Sequence, residues 1–350
     1  MPITFVVSTG RCGSTMLSRI LHRHPDVLSI SEFISTLTTT TGRLDFPANE
    51  MTGKELWSLL ATPVPFLDML VTAGLKTPEM CYPYGRGRFD PACGVPAICD
   101  FTLPMLTDEP DDMFDKLAME LAAWPRRAAV AQYRAFFEHL AGLLGRQVVV
   151  ERSGGSLPVM GLLRRHFPDA KFVHMYRDGA DCALSMSRFP PSRIMYLADT
   201  AARAAGLPPG LPPDAVRAAL PEEFEGLLFP PIDAARLMAY PVPADYFGRW
   251  WSAMICAGLT ELSSLPAHAW ISLRYEDLVS GDPGPELIRL ADFLGITATR
   301  QWLASARGLI VGGKTGTAAA TLDSAALVAL RQACEPGTRA LSAFAARQPR

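Results

Sequence analysis

The stretch Ile3-Thr4-Phe5-Val6-Val7-Ser8-Thr9-Gly10-Arg11-Cys12-Gly13-Ser14-Thr15-Met16 decides how this chain is read. Its first half is a short apolar run rich in β-branched residues, the pattern of a strand buried on both faces. Residues 14–24 follow with helical periodicity and stop at Pro25. Between the two, Gly10 and Gly13 let the backbone turn tightly, so that successive N–H groups point at one anion. Ser14 and Thr15 stand at the helix start, where free amides and the positive end of the dipole bind phosphate. Arg11 adds a mobile positive charge. A nucleoside-triphosphate loop needs Gly-x-x-x-x-Gly-Lys followed by Ser or Thr. Here Ser14 follows Gly13 directly, no lysine is present, and the cation stands earlier, at Arg11. An ordinary glycine turn that caps a helix is the alternative reading.

Five runs of this apolar, β-branched kind occur, at Ile3–Ser8, Val27–Ile30, Gln147–Arg152, Lys171–Tyr176 and Ala269–Arg274. Helical periodicity lies between them, at 126–144, 157–167, 178–188 and 246–265, and after the last, at 285–294. Strands alternating with helices predict an α/β chain with a mostly parallel central sheet flanked by helices. Two regions interrupt the alternation. Residues 35–110 open with the threonine run Thr38–Thr41 and show no clear period; residues 189–244 carry four Pro-Pro pairs. They are expected to be ordered insertions or lids on a single domain spanning 1–350, with a loose linker as the other possibility. No internal repeat is visible.

Composition narrows the function. Of 350 residues, 49% are hydrophobic and 19% charged, enough for a large core. The net charge of −2 argues against a nucleic-acid or anionic-membrane binder, so any anion site is local. The N-terminus has no basic start before its apolar run, and the uncharged stretch 251–260 is too short to cross a bilayer. No integral membrane segment is expected. Seven scattered cysteines without C-x-x-C spacing suit a reducing, cytoplasmic setting. The histidines show no ligand spacing beyond His22-x-His24, expected on a helix surface, so no metal site is indicated.

A second anion element follows the fourth run. Arg177 leaves the strand end, and Ser185 lies early in the next helix. Together they can hold one phosphate, the arginine by charge-assisted bonds and the hydroxyl by a directional one. Strand ends on this edge are where open α/β sheets bind ligands.

With both elements in hand, the chain resembles the family of sulfotransferases that use PAPS (3′-phosphoadenosine 5′-phosphosulfate). That resemblance implies a P-loop-like sulfotransferase fold. Its 5′ phosphosulfate loop falls on Arg11, Cys12, Gly13, Ser14, Thr15 and Met16, and its 3′-phosphate arginine and serine, eight positions apart, fall on Arg177 and Ser185. Tyr275, in Tyr275-Glu276-Asp277, matches a tyrosine near the adenine. Gly312-Gly313-Lys314-Thr315-Gly316 resembles, loosely, a basic glycine loop that closes over the 3′ phosphate, through Gly313 and Lys314. The likeness covers about 3–32, 147–188 and 269–316, and neither insertion matches.

The implied reaction is direct in-line transfer of a sulfuryl group from PAPS to an acceptor hydroxyl, releasing PAP, with no metal. Like phosphoryl transfer it depends on positioning and on charge stabilisation. Related branches place a glutamate after a His-Pro-like segment, here His24-Pro25, which makes Glu32 the expected base. An apolar setting would make its carboxylate basic enough; a capping or solvated glutamate is the bland reading. Glu151, in the segment where other branches keep a histidine, is the second candidate. Arg152 stands where related chains carry a transition-state cation and would grip the sulfonate with Arg11. A structural ion pair with Glu151 or a nearby acid is its alternative. Cys12 is expected to contribute only its amide. The acceptor is read as a small or lipid-like molecule; the aromatics Phe33, Trp57, Phe66, Tyr82, Tyr84, Phe89, Tyr196, Phe224 and Phe229 are available to line its pocket, though most are expected to be core and none is assigned to the acceptor. Two other functions stay open: a small-molecule kinase, for which Asp100 and Asp178 are conceivable Mg²⁺ holders, and a non-catalytic nucleotide-binding protein.

Overall fold

The structure, a computed structural model, describes residues 1, 3–41, 49–208, 217–310, 312 and 314–346. Among the described residues there are seven strands: β1 (Ile3–Ser8), β2 (Val27–Ser31), β3 (Glu50–Met51), β4 (Arg127–Ala128), β5 (Val148–Arg152), β6 (Lys171–Tyr176) and β7 (Trp270–Arg274). Five of them build one sheet in the order β2-β5-β1-β6-β7, every neighbouring pair parallel. The α/β expectation therefore holds, and the five apolar runs are the five sheet strands, with ends within a residue.

Parallel sheets are covered on both faces, and β1 shows why its sequence alternates nothing. All six of its residues are buried. Ile3, Phe5 and Val7 enter an apolar cluster with Phe136 and Phe137 of the helix Ala129–Leu143 and Trp251 and Ile255 of the helix Ala244–Ser263. Val6 enters the opposite cluster, with Leu17 and Ile20 of the first helix, Ser14–His22, and Leu287 and Leu290 of Gly284–Leu294.

The two insertions are built of helices. The first contains Phe33–Thr41, Gly53–Ala61, Pro65–Thr72 and Ala97–Phe101, and the helix Pro110–Ala122 follows it; the second contains Pro190–Ala204 and Ala234–Ala239. They pack on each other: Leu67 and Leu70 share a third apolar cluster with Ile194, Leu197, Phe224 and Leu237. Arg193, only 6% exposed, ties the second insertion together by donating to the carbonyls of Ser187, Leu237 and Tyr240. Of the paired prolines in that insertion, Pro209, Pro212 and Pro213 lie outside the described residues.

A long C-terminal helix, Ser324–Ala345, carries Pro336 in its interior. Proline removes one backbone donor and displaces the turn. Ser252 of the helix Ala244–Ser263 repairs the gap, since its hydroxyl donates to the Ala333 carbonyl (2.9 Å) and accepts from the Gly337 N–H (3.3 Å). This pairing holds Ala244–Ser263, and hence Trp250, in place beside the sheet.

His24 departs from its expected surface position. The first helix ends at His22, and His24 is buried, its Nε2 3.0 Å from the Thr297 carbonyl.

Candidate functional site

The C-terminal ends of β1, β2, β5 and β6 meet where the strand order reverses about β1, the position at which open α/β sheets form ligand crevices. A cavity of about 270 Å³ opens there, lined by Gly10, Arg11, Ser14, Thr15, Glu32, Arg152, Gly154 and Gly155 on the sheet side. Insertion residues Phe66, Leu67, Leu70, Phe101, Phe189 and Pro191, together with Met186 and Trp250, form an apolar wall opposite.

The loop after β1 turns through three left-handed residues, Gly10 (φ 76°), Arg11 (φ 55°) and Gly13 (φ 91°). Runs of this kind turn backbone N–H groups toward one anion. The first intrahelical bond runs from Leu17 N–H to the Gly13 carbonyl, 3.1 Å, so the amides of Ser14, Thr15 and Met16 have no acceptor within the helix. Gly13 has a second reason to lack a side chain: a Cβ there would lie 2.5 Å from Tyr275 Cδ2. Cys12 is fully buried, and burial pushes its thiol up, opposed by hydrogen bonds from the Ser8 and Ser14 side chains and the Ser14 N–H.

Among the described residues only Arg11 and Glu32 combine a side chain with a left-handed backbone, and both line the cavity. Strained residues persist where the surroundings over-determine them, most often at functional sites. For Glu32 the constraints are visible. Its N–H donates to the Arg152 carbonyl (2.7 Å), while its own carbonyl accepts from Thr36 N–H (2.8 Å) and the Thr36 hydroxyl (2.7 Å).

The Glu32 carboxylate accepts from Arg152 Nη1, from the Ser35 hydroxyl (2.5 Å) and from Gly154 N–H (3.0 and 3.2 Å). The apolar setting expected of it is thus replaced by an ion pair. Arg152 Nη2 donates to the Ser31 hydroxyl at 2.6 Å, and its buried Nε has no partner. The acid paired with Arg152 is Glu32 and not Glu151. Glu151 points elsewhere, accepting from the Ser153 hydroxyl (2.6 Å) and Ile34 N–H (3.2 Å). Complete burial pushes its carboxyl up to about 7, with its hydrogen bonds opposing. It does not line the cavity.

The second anion element closes on the first. Arg177, 5% exposed, donates from Nη1 to the Arg11 carbonyl (3.3 Å) and from Nη2 to the Lys314 carbonyl. Its guanidinium lies 4.9 Å over the Tyr275 ring, and its buried Nε has no partner. Asp181 pairs with it at 3.6 Å and is itself held by Gly316 N–H, Ala318 N–H and the Thr317 hydroxyl. Ser185 accepts from Arg11 Nε at 3.4 Å. Arg177 thus touches the first loop, Tyr275 and the backbone of Lys314, and Ser185 touches Arg11, although none of Arg177, Ser185, Tyr275 and Lys314 lines the cavity itself; Gly313 lies outside the described residues.

Two residues of the site were not anticipated. Phe189 stacks under Arg11, 4.2 Å from guanidinium carbon to ring centre. Glu79 accepts from the Thr15 hydroxyl at 2.9 Å and from Arg11 Nη1 at 3.4 Å. Of the insertion aromatics singled out in the sequence, Phe66 reaches the cavity, whereas Phe33, Tyr82 and Phe224 are core. Asp100 is buried behind the site against the Tyr84 hydroxyl (2.5 Å), and Asp178 caps the helix Gly179–Ser187. Among the described residues no three His, Cys, Asp or Glu side chains are grouped as metal ligands, and no helix is long and apolar enough to cross a membrane.

No family model and no curated protein matches the chain. Among solved structures it is similar to the sulfotransferase domain from the curacin biosynthetic pathway, at 16% identity over 100% of this chain and 99% of that one, TM-score 0.49. It is also similar to the sulfotransferase domain of the Synechococcus PCC 7002 olefin synthase (15%, 100% and 96%, TM-score 0.47). A third is a sulfotransferase from Alicyclobacillus acidocaldarius (17%, 100% and 97%, TM-score 0.41). All three are sulfotransferase structures.

Proposed function

We propose that this protein is a cytoplasmic sulfotransferase that moves a sulfuryl group from PAPS to the hydroxyl of a small or lipid-like acceptor and releases PAP. One observation carries the reading: two anion-binding elements 166 residues apart in sequence converge, Arg177 Nη1 meeting the Arg11 carbonyl at 3.3 Å. A glycine loop alone fits many nucleotides. A buried arginine with an unpartnered Nε beside that loop and against a tyrosine ring, with Ser185 reaching the same loop through Arg11, fits a second phosphate on the same nucleotide.

In this reading the loop amides and Arg11 hold the 5′ phosphosulfate, Arg177 and Ser185 the 3′ phosphate, and Tyr275 borders the adenine. The acceptor occupies the apolar side of the cavity, against Phe66, Phe101 and Trp250. Its oxygen attacks sulfur as the bond from sulfur to the bridging phosphate oxygen breaks. Arg152 and Arg11 offset the charge that builds on the sulfonate and leaving phosphate, and Glu32 takes the hydroxyl proton. Because the Glu32 carboxylate starts with four hydrogen bonds, that step requires one donor to yield as the acceptor arrives, and the Ser35 hydroxyl is the one free to rotate.

Calorimetric titration with PAP, and with ADP and ATP as controls, tests the proposal. Preference for PAP is expected. Preference for ATP with Mg²⁺ would favour a kinase, and PAP binding without turnover on any hydroxyl acceptor would favour a non-catalytic nucleotide-binding protein.

A further inference from the structure

Glu79 belongs to the first insertion, between the helices Pro65–Thr72 and Ala97–Phe101, yet its carboxylate ends among the donors of the glycine loop. Its neighbours are anchored on both sides. Arg19 Nη2 donates to the Pro78 carbonyl (3.0 Å), and Cys81 N–H donates to the Asp100 carbonyl (2.9 Å). Oε1 takes the Thr15 hydroxyl and Arg11, while Oε2 is buried without a partner. Burial alone would push the carboxyl up, but Arg11, Arg152 and the Thr15 hydroxyl outweigh it and hold the group below the usual glutamate range. It is a carboxylate at working pH.

A fixed anion beside an anion loop weakens that loop for every ligand, so its place needs a reason. The charged side chains lining the cavity are Arg11, Arg152, Glu32 and Glu79, and their charges cancel. Without Glu79 the cavity would carry one net positive charge. A terminal sulfonate and a terminal phosphate are both tetrahedral with three outer oxygens, so shape does not separate them. Charge does: the sulfonate carries one negative charge, and the phosphate carries two above its second pKa of about 6.

We propose that Glu79 is a specificity-determining residue of the donor site, accepting a nucleotide that ends in sulfonate and repelling its counterpart that ends in phosphate. This rests on reading the loop as the 5′ phosphosulfate site. The Thr15 hydroxyl has one proton and gives it to Glu79, which leaves the loop amides and Arg11 as donors to the ligand.

The test uses PAPS and adenosine 3′-phosphate 5′-diphosphate, which differ only in the terminal group, titrated into the full chain at pH 8 without acceptor. The wild type should favour PAPS. In Glu79→Gln the diphosphate should gain about tenfold and PAPS less, the scale of one partly screened charge at contact distance. The glutamine oxygen still accepts from Thr15, and thermal melting checks the fold. A second measurement needs no variant. At pH 5.5 the terminal phosphate takes up a proton, matches the sulfonate in charge and gains an O–H that Oε2 can accept. The groups facing Glu79 are Arg11, Arg152 and, across the pair, Glu32, and both ligands meet them alike. Diphosphate affinity should therefore rise relative to PAPS as pH falls, whereas a merely cationic loop would bind the protonated form more weakly. An unchanged ratio in Glu79→Gln, or a relative loss of diphosphate affinity at low pH, would overturn the assignment. Failure of the wild type to bind either nucleotide would remove the donor-site reading itself, and Glu79's role with it.

Discussion

Arg152 and Glu32 form an ion pair sealed between neighbouring strand ends, with side chains 2% and 9% exposed. Parallel pairing sets Ser31 of β2 beside Arg152 of β5, so the residue that follows Ser31 turns, in a left-handed conformation, back onto the guanidinium. The pair is rigid on the carboxylate side and incomplete on the cationic side, where Arg152 Nε stays unpartnered. That asymmetry suits a cation waiting for a further anion.

Replacing Glu32 separates its two duties. Glu32→Ala strands a buried guanidinium and should destabilise the protein by about 3–5 kcal/mol, measured by urea unfolding. Glu32→Gln keeps an oxygen toward Arg152 and should cost less. Its turnover should nonetheless fall by about 10²–10⁴-fold, the usual worth of a general base, with PAP affinity nearly unchanged. Normal turnover in Glu32→Gln would remove it as the base.

Arg177 should read the 3′ phosphate. Arg177→Ala is expected to weaken PAP far more than adenosine 5′-phosphosulfate, which lacks that group. Asp181 retains its three donors from residues 316–318 in the variant, so local collapse is not expected. Equal losses for both ligands would take the role away.

Glu151 should affect stability and not turnover. Burial raises its carboxyl from the ordinary 4.5 to about 7. Between those values the folded chain binds a proton that the unfolded chain does not, so stability falls as pH rises through this window. Glu151→Gln removes that dependence, and its stability relative to wild type should improve from pH 5 to pH 8. Lost turnover in a folded Glu151→Gln protein would restore Glu151 as the base.

Gly13→Ala combines a left-handed backbone with a clash on the Tyr275 ring. We expect a loss of about 1–3 kcal/mol in stability and weaker PAP binding, because the ring that must move also lies against Arg177. Wild-type PAP affinity in this variant would show that the contact between loop and tyrosine does not shape the site.

The sheet was legible because buried parallel strands are short, mostly apolar runs rich in β-branched residues, and each of the five sheet strands falls on such a run. The glycine loop and Arg177 were legible because backbone turns and strand-end cations leave fixed spacings. The insertions were not, since their helices are short and pack on one another, which hides any single periodic face. One signal was present: Thr52 and Glu55 form a capping box at the start of Gly53–Ala61. Glu79 left no signal at all. It is one glutamate in a proline-containing loop, and only the packing of that loop against the first helix brings it to Arg11.

The strand order has a consequence for synthesis. β5 sits between β2 and β1, yet it begins at residue 148, long after both have left the ribosome. At about 5–20 residues per second, the nascent chain carries two apolar strands with unfilled edges for roughly 6–24 s. During that interval it is open to wrong pairing and aggregation, and chaperone cover would matter most before residue 152 emerges.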